Sequence, residues 1–135
     1  MFYAPVVQNP EQEIVYRGDH RFSYEEVQKR VHRLADALTK LGVKAGDTLA
    51  MMDWDSHRYL ECFYAVPMLG AVLHTVNVRL SPEQIVFTID HAEDDYIIVN
   101  SEFLPIIKQV KGRIDTVKDF ILINDEAVSY THLTL

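Results

Sequence analysis

The residues best placed for chemistry are His74, Asn77 and Arg79, which lie within the stretch AVLHTVNVR. His74 falls inside a short apolar run, and the other two follow the carboxyl end of that run. In open α/β sheets, ligands bind outside the carboxyl ends of strands. The three side chains therefore predict one wall of a substrate channel. The alternative is a core histidine with satisfied hydrogen bonds, a turn asparagine and an exposed arginine; both remain open.

Two other groups of residues have types found in active sites. Asp53 and Asp55 could form a general acid/base pair, but loop acids before a helix are more often caps and surface charges. The segment HAEDD, from His91 to Asp95, contains metal-ligand types. It falls where a helix should end, so we interpret the histidine as a complement to the helix dipole and the acids as solvated. We predict no catalytic residue and no metal ligand in this chain.

The glycines give no sign of a phosphate-binding loop. The five glycines are scattered, and the loop after the apolar run at 48–52 contains two acids, which would repel a pyrophosphate. The single cysteine, Cys62, lies between apolar neighbours and is interpreted as a buried, inert thiol. A nucleotide site built from this segment alone is therefore not predicted.

Length and charge restrict the class of protein further. The chain has 135 residues, enough for one domain, and a formal net charge of −7 without a basic cluster, so nucleic acid is not expected as a partner. The amino terminus lacks the basic and apolar regions of a secretory signal. No apolar run approaches the roughly 20 residues that span a bilayer, so no membrane span is predicted. We expect a cytoplasmic protein.

The central stretch, from Ser56 to Ile89, predicts a helix, a turn at Gly70, a strand and a second helix. Ser56 is the expected N-cap of the first helix, and Ser81, followed by Pro82, of the second. The first helix should present one apolar face, formed by Tyr59, Leu60, Phe63 and Tyr64. The strand at 71–76 has little polar alternation, which predicts burial on both faces.

The remaining elements complete an alternating pattern. Residues 1–12 should be irregular because of their two prolines, and a hairpin should follow with Gly18 in its turn. A long helix should begin after Ser23 and end at Gly42, and a further helix should be capped by Ser101. Strands are predicted at 48–52, 96–99 and 120–123. Strands that alternate with helices predict an α/β fold with a mostly parallel sheet and flanking helices.

Several segments carry a family likeness. FSYEEV at 22–27, LGVKAGD at 41–47 and MLGAVLHTVN at 68–77 resemble the first two core motifs of the adenylate-forming, or AMP-binding, synthetases. The wording AVPMLGAVLHTVNVRLSPEQI, with HAEDD after it, is most similar to medium- and long-chain fatty acyl-CoA ligases and methylmercaptopropionate-type CoA ligases. The resemblance runs from about residue 10 to residue 125.

The resemblance implies a two-step ligase reaction in the parent enzyme. A fatty acid or other small-molecule carboxylate reacts with ATP and Mg²⁺ to give an acyl-adenylate, which CoA then takes up as a thioester. In the family, the phosphate loop, the nucleotide motifs and the catalytic lysine lie later in the chain. This sequence contains none of them, so we expect this fragment alone to be inactive and to bind none of these cofactors.

The resemblance also suggests a domain boundary. Residues 1–126 are interpreted as a partial N-terminal domain of such a ligase. Residues 127–135, AVSYTHLTL, show neither a helix nor a strand pattern and resemble a translated sequencing adapter, which predicts a non-native tail. The alternative is a stand-alone, flavodoxin-like binding or dimerisation module without catalysis. Because related ligases can dimerise through this end, a homodimer is left open.

Overall fold

The computed structural model describes residues 3–124 in full and the backbone of residues 131–133. The chain divides into two units, which are described separately here. The first comprises the residues up to Ala45 together with Asp55–Gly70, and the second comprises Gly46–Trp54 together with everything from Ala71 onward. The predicted boundary at 126 lies outside the described residues, as does the tail 127–135 apart from the backbone of 131–133.

The first unit begins with a helix that the sequence did not predict. Helix α1 covers Tyr3–Gln8, where irregular chain was expected. The prediction was wrong because Pro5 lies in the first turn, where the missing N–H has no intrahelical partner to lose. The hairpin is confirmed: β1 (Glu13–Tyr16) pairs antiparallel with β2 (His20–Ser23), and Gly18 has a φ of 79° in the turn.

The long helix of the first unit is confirmed at both ends. In α2 (Tyr24–Leu41), the Ser23 side chain accepts the Glu26 backbone N–H, and the Glu26 side chain accepts that of Ser23. This reciprocal capping box satisfies two donors that would otherwise lack partners. The helix ends at Gly42, whose φ of 102° is left-handed. Its buried stripe comprises Val27, Val31, Leu34, Ala35 and Leu38.

Helix α3 (His57–Met68) has a different buried face from the predicted one. Ser56 caps it as expected, but Phe63 is 50% exposed. The buried side chains are His57, Tyr59, Glu61, Cys62, Ala65 and Val66. Hydrophobicity alone selected the wrong stripe because Glu61 is buried through an ion pair with Arg30 of α2, which no local pattern reveals.

The second unit is built on a five-stranded sheet with the order β4-β3-β5-β6-β7. The first four strands are parallel, which confirms the predicted sheet, and the last pairs antiparallel with β6. The strands are β3 (Thr48–Met52), β4 (Val72–Thr75), β5 (Tyr96–Asn100), β6 (Asp119–Ile123) and β7 (Thr131–Leu133).

Two strands depart from the prediction. Strand β4 is not buried on both faces, because it lies at the edge of the sheet, and Val72 is 54% exposed. Strand β7 forms where the sequence showed no strand pattern. Its structure depends on pairing with β6, which is a long-range interaction and leaves no periodicity in the local sequence.

One continuous core holds the second unit together. Helices α4 (Pro82–Ala92) and α5 (Leu104–Val110) pack against the sheet face that carries Ala50, Met52, Ile97 and Val99. The other buried members of this core are Val76, Ile85, Val86, Ile89, Phe103, Ile107, Val110 and Ile114. Full burial of side chains such as Ile85 and Ile97 contributes roughly 1.5–3 kcal/mol each relative to exposure.

The caps of the second unit give a test of the fold. Ser81 forms a capping box with Gln84 at the start of α4, whereas Asn100, not Ser101, caps the 3₁₀ turn that precedes α5. We expect Ser81→Ala to lower the free energy of unfolding by about 1 kcal/mol. Ser101→Ala, the matched control, should cost clearly less. Urea unfolding of both variants measures the difference, and equal losses would contradict the assignment of the caps.

Candidate functional site at the switch point of the sheet

The sheet reverses its winding direction between β3 and β5. After β3 the chain continues to β4 on one side, and after β5 it continues to β6 on the other. In open parallel sheets, the carboxyl ends of the two strands at such a switch point border the usual ligand site. The side chains found there, which we call the switch-point cluster, are Asp53, Trp54, Asn100, Glu102 and Phe103.

The centre of the switch-point cluster is a buried hydrogen bond. Nδ2 of Asn100 donates to Oδ1 of Asp53 over 2.7 Å, and the two residues are only 4% and 5% exposed. Oδ1 of Asn100 accepts the backbone N–H of Glu102 at 3.0 Å. Asn100 therefore joins the end of β3 to the turn after β5. The interpretation of Asp53 as a surface charge was wrong, whereas Asp55 is exposed as expected.

The outer part of the cluster is aromatic. Nε1 of Trp54 donates to Oε2 of Glu102 at 2.9 Å, and the Trp54 and Phe103 rings lie 5.0 Å apart at 57°. Such a tilted contact is a favourable aromatic geometry. The indole is fixed at one end by its hydrogen bond and along one side by the second ring.

The composition of the cluster indicates what it can bind. Its five residues contribute two carboxylates, an amide and two aromatic rings. Within residues 3–124, no group of three or more histidine, cysteine, aspartate or glutamate side chains is arranged to hold a metal ion. The cluster suits recognition of a planar or polar ligand better than acid–base chemistry.

The structure separates His74 from the other two predicted site residues. Nδ1 of His74 lies 2.7 Å from Oδ2 of Asp94, with which it shares a hydrogen bond. Asp94 precedes β5, so this bond reaches toward the amino-terminal ends of the parallel strands. The switch-point cluster lies at their carboxyl ends. The interpretation of the acids after α4 as solvated was wrong for Asp94, which is completely buried. Burial raises the pKa of its carboxyl, although the hydrogen bond from His74 lowers it.

Asn77 and Arg79 do lie together after the carboxyl end of β4. Oδ1 of Asn77 accepts the backbone N–H of Arg79 at 3.0 Å, and both residues are exposed. This short-range bond is an Asx turn, a local structure that asparagine forms readily. Their position after a strand end agrees with the sequence, but whether they contact a substrate stays a prediction.

The amino ends of the strands are joined by a second polar network. The Asp95 backbone N–H donates to Thr48 O, and the Asp95 side chain accepts the Thr48 N–H. Lys118 lies 2.7 Å from Asp95 and 3.5 Å from Asp47. The hydrogen bond to Asp95 raises the pKa of the Lys118 ammonium group. Structural ion pairs therefore occupy the amino ends of these strands.

Sequence reasoning missed Trp54, Asn100 and Glu102. A signal for them was present, because Asn100 directly follows one apolar run just as Asp53 follows another. The carboxyl-end rule was applied only to the run that contains His74. Applying it to every strand, together with the strand order, would have selected these positions.

Comparison with known proteins places the chain in a family. The sequence profile of the AMP-binding enzyme family matches residues 2–134. The chain belongs to the AMP-binding enzyme family. This confirms the resemblance found in the core motifs, and with it the assignment of the sheet and helices to the adenylate-forming fold.

Members of the AMP-binding enzyme family with known activities cover most of this chain. It is 41% identical over 108 residues to a long-chain-fatty-acid–CoA ligase of Thermus thermophilus, covering 80% of this chain and 20% of the relative. It is 43% identical over 102 residues to a medium-chain-fatty-acid–CoA ligase of Ectopseudomonas oleovorans, covering 76% and 19%. The chain thus spans about a fifth of the length of these relatives.

A solved structure has the same fold. The inhibitor-bound N-terminal domain of FACL13 from Mycobacterium tuberculosis superposes with a TM-score of 0.85 at 25% identity, covering 90% of this chain and 32% of that domain. Within the described residues, no helix has the length and apolar character needed to cross a membrane.

Proposed function

We propose that this chain is the N-terminal part of an acyl-CoA ligase. The parent would activate a carboxylic acid, most closely a medium- or long-chain fatty acid, with ATP and Mg²⁺ to an acyl-adenylate and then form the CoA thioester. The observation that carries the proposal is the 41% identity over 108 residues to a fatty-acid–CoA ligase. We also propose that the parent works in the cytoplasm.

The role proposed for the chain within the ligase is structural support of the substrate site. The switch-point cluster offers a buried amide–carboxylate pair and a fixed indole where ligands gather in such sheets. Asn77 and Arg79, after the neighbouring strand end, are retained as candidate substrate-binding residues. His74 is retained only as an indirect contributor to substrate binding, because its side chain bonds to Asp94, which lies at the amino-terminal end of β5.

The chain by itself is proposed to be catalytically inactive. Adenylate formation depends on neutralising the charge of the phosphates, which glycine-rich loops cradle with their backbone N–H groups. The 135 residues contain no glycine-rich phosphate loop. We retain the division into a partial ligase domain over 1–126 and a non-native tail over 127–135 as part of this proposal.

A hybrid enzyme tests the proposal. The aligned 108-residue segment of the Thermus thermophilus ligase is exchanged for the matching segment of this chain, and ATP-dependent acyl-CoA formation from fatty acids is measured. We expect kcat/KM within about tenfold of the unmodified ligase, which is a loss of at most about 1.4 kcal/mol in transition-state stabilisation. The 135-residue chain alone should release no pyrophosphate under the same conditions.

Two outcomes would overturn the proposal. A hybrid that folds like the unmodified ligase but forms no acyl-CoA would show that the segment cannot do this work. Acyl-adenylate formation by the chain alone would show that it is not an inactive part. A fold control, thermal unfolding of hybrid and unmodified ligase, separates the first outcome from simple misfolding.

A further inference from the structure

The bond between His74 and Asp94 reaches across a strand. His74 lies in the middle of the edge strand β4, whereas Asp94 lies just before β5, and β3 runs between these two strands. Ala50 of β3 is the register partner of both His74 and Ile97. Because its side chain is only a methyl group, little stands between the imidazole and the start of β5. The bond therefore ties the edge strand to the interior of the sheet.

The surroundings of this pair make its charge important. Asp94 is completely buried, and its Oδ1 has no hydrogen-bond partner among the described residues. The neighbouring Asp95 adds negative charge, while Lys118 bonds to Asp95. His91 and Glu93, near the end of α4, are exposed. His74 is thus the group that directly balances the Asp94 carboxylate, and a buried carboxylate without a balancing charge is costly.

We propose that His74 and Asp94 form a proton-linked latch that holds β4 onto the sheet. With one proton on the pair, either as an ion pair or as two neutral groups, the buried site carries no net charge. When that proton is lost, a net negative charge remains beside Asp95, and β4 is held less firmly. The proton belongs to the pair rather than to either residue. This inference does not depend on the proposed ligase function.

The direction of the pH effect follows from linkage. Burial raises the pKa of the Asp94 carboxyl, so the folded state binds the proton more tightly than the unfolded chain does. The stabilisation is present while the folded pair holds this proton and is lost as pH rises through the pKa of the folded pair. The latch should therefore loosen with increasing pH.

Amide hydrogen exchange measures the latch. The Val72 and Val76 N–H groups bond to Asp47 O and Met51 O of the neighbouring segment at 2.8 and 3.1 Å. The protection factors of these two amides are divided by the protection factor of the Ile98 amide in the central strand β5, which removes the intrinsic pH dependence of exchange. We expect this ratio to fall as pH rises. The total fall should be about tenfold for each pH unit by which folding shifts the pKa of the pair. The 135-residue chain and the hybrid ligase are measured in parallel.

Two variants complete the test. Asp94→Asn keeps a side chain that can hydrogen-bond to His74 but cannot titrate, so its ratio should not change with pH. Glu93→Gln, which neutralises the adjacent exposed acid, should behave like the unmodified protein. A ratio independent of pH in the unmodified protein, or an unchanged pH dependence in Asp94→Asn, would each overturn the latch.

Discussion

Replacing Arg30 with methionine is expected to lower the free energy of unfolding by roughly 3 kcal/mol. Nε of Arg30 lies 2.5 Å from Oε1 of Glu61, whose side chain is only 3% exposed. Methionine retains apolar length on α2 but removes the cation with which Arg30 balances the buried Glu61 carboxylate. The expected loss is at the lower end of the range for broken buried pairs, because the Arg30 side chain is 26% exposed.

A matched surface pair isolates the effect of burial. Lys29 pairs with Glu25 on the same helix at 2.8 Å, but these side chains are 58% and 49% exposed. Lys29→Met should therefore change the free energy of unfolding by less than about 0.5 kcal/mol. Urea unfolding of both variants gives the comparison. Similar losses for the two substitutions would mean that burial of Glu61 does not determine the energetics of this pair.

Arg30 also contacts an aromatic ring, which a second variant separates from the ion pair. Its guanidinium lies 4.7 Å from the centroid of the Phe22 ring. Glu61→Gln removes the carboxylate charge while preserving this cation–π contact. We expect Glu61→Gln to cost less than Arg30→Met, because it removes the buried charge itself, whereas Arg30→Met keeps that charge and removes a cation that balances it.

Asn100→Ala is expected to cost roughly 2–4 kcal/mol. The substitution removes the hydrogen bond to the Asp53 carboxylate, a charge-assisted bond worth about 1.5–3 kcal/mol. It also removes the cap on the Glu102 backbone N–H, worth about 1 kcal/mol. The two losses occur at one buried site, so they need not add fully.

Asn77→Ala is the control for this substitution. Asn77 is exposed, and the hydrogen bond described for its side chain is a local turn contact with the Arg79 N–H, so its replacement should cost less than about 1 kcal/mol. Unfolding midpoints in urea, measured with Trp54 fluorescence, report directly on the switch-point cluster. If Asn77→Ala destabilised the protein as much as Asn100→Ala, the assignment of Asn100 as the centre of the cluster would be wrong.

Local signals in the sequence predicted most of the elements. The capping boxes at Ser23 and Ser81 and the left-handed glycine at Gly42 depend on residues within four positions of one another, which is why they could be identified directly. The parallel direction of the first four strands was predicted from the alternation of strands and helices. The first helix was missed because proline was treated as a breaker although it lies in the first turn, and β7 was missed because it has no local strand pattern.

The polar core could not be predicted, because its partners are distant in sequence. Glu61 lies 31 residues from Arg30, and Asn100 lies 47 residues from Asp53. Each of these residues is common on protein surfaces, and a single sequence does not indicate which charged side chain will be buried. The same reason explains why the bond between His74 and Asp94 was not predicted: Asp94 was interpreted as a solvated acid at the end of a helix.

Asp95 has a consequence for how this sheet can evolve. Through its backbone and side chain it bonds to Thr48, and its carbonyl accepts the N–H of Lys118, so one residue aligns the starts of β3, β5 and β6. A one-residue slip of a strand would turn its buried side chains to the opposite face, and this alignment opposes such a slip. Loops at the carboxyl ends can then change in length and sequence while the strands keep their alignment. Selectivity for different ligands can diversify at the carboxyl ends of the strands because the bonds of Asp95 keep the amino ends aligned.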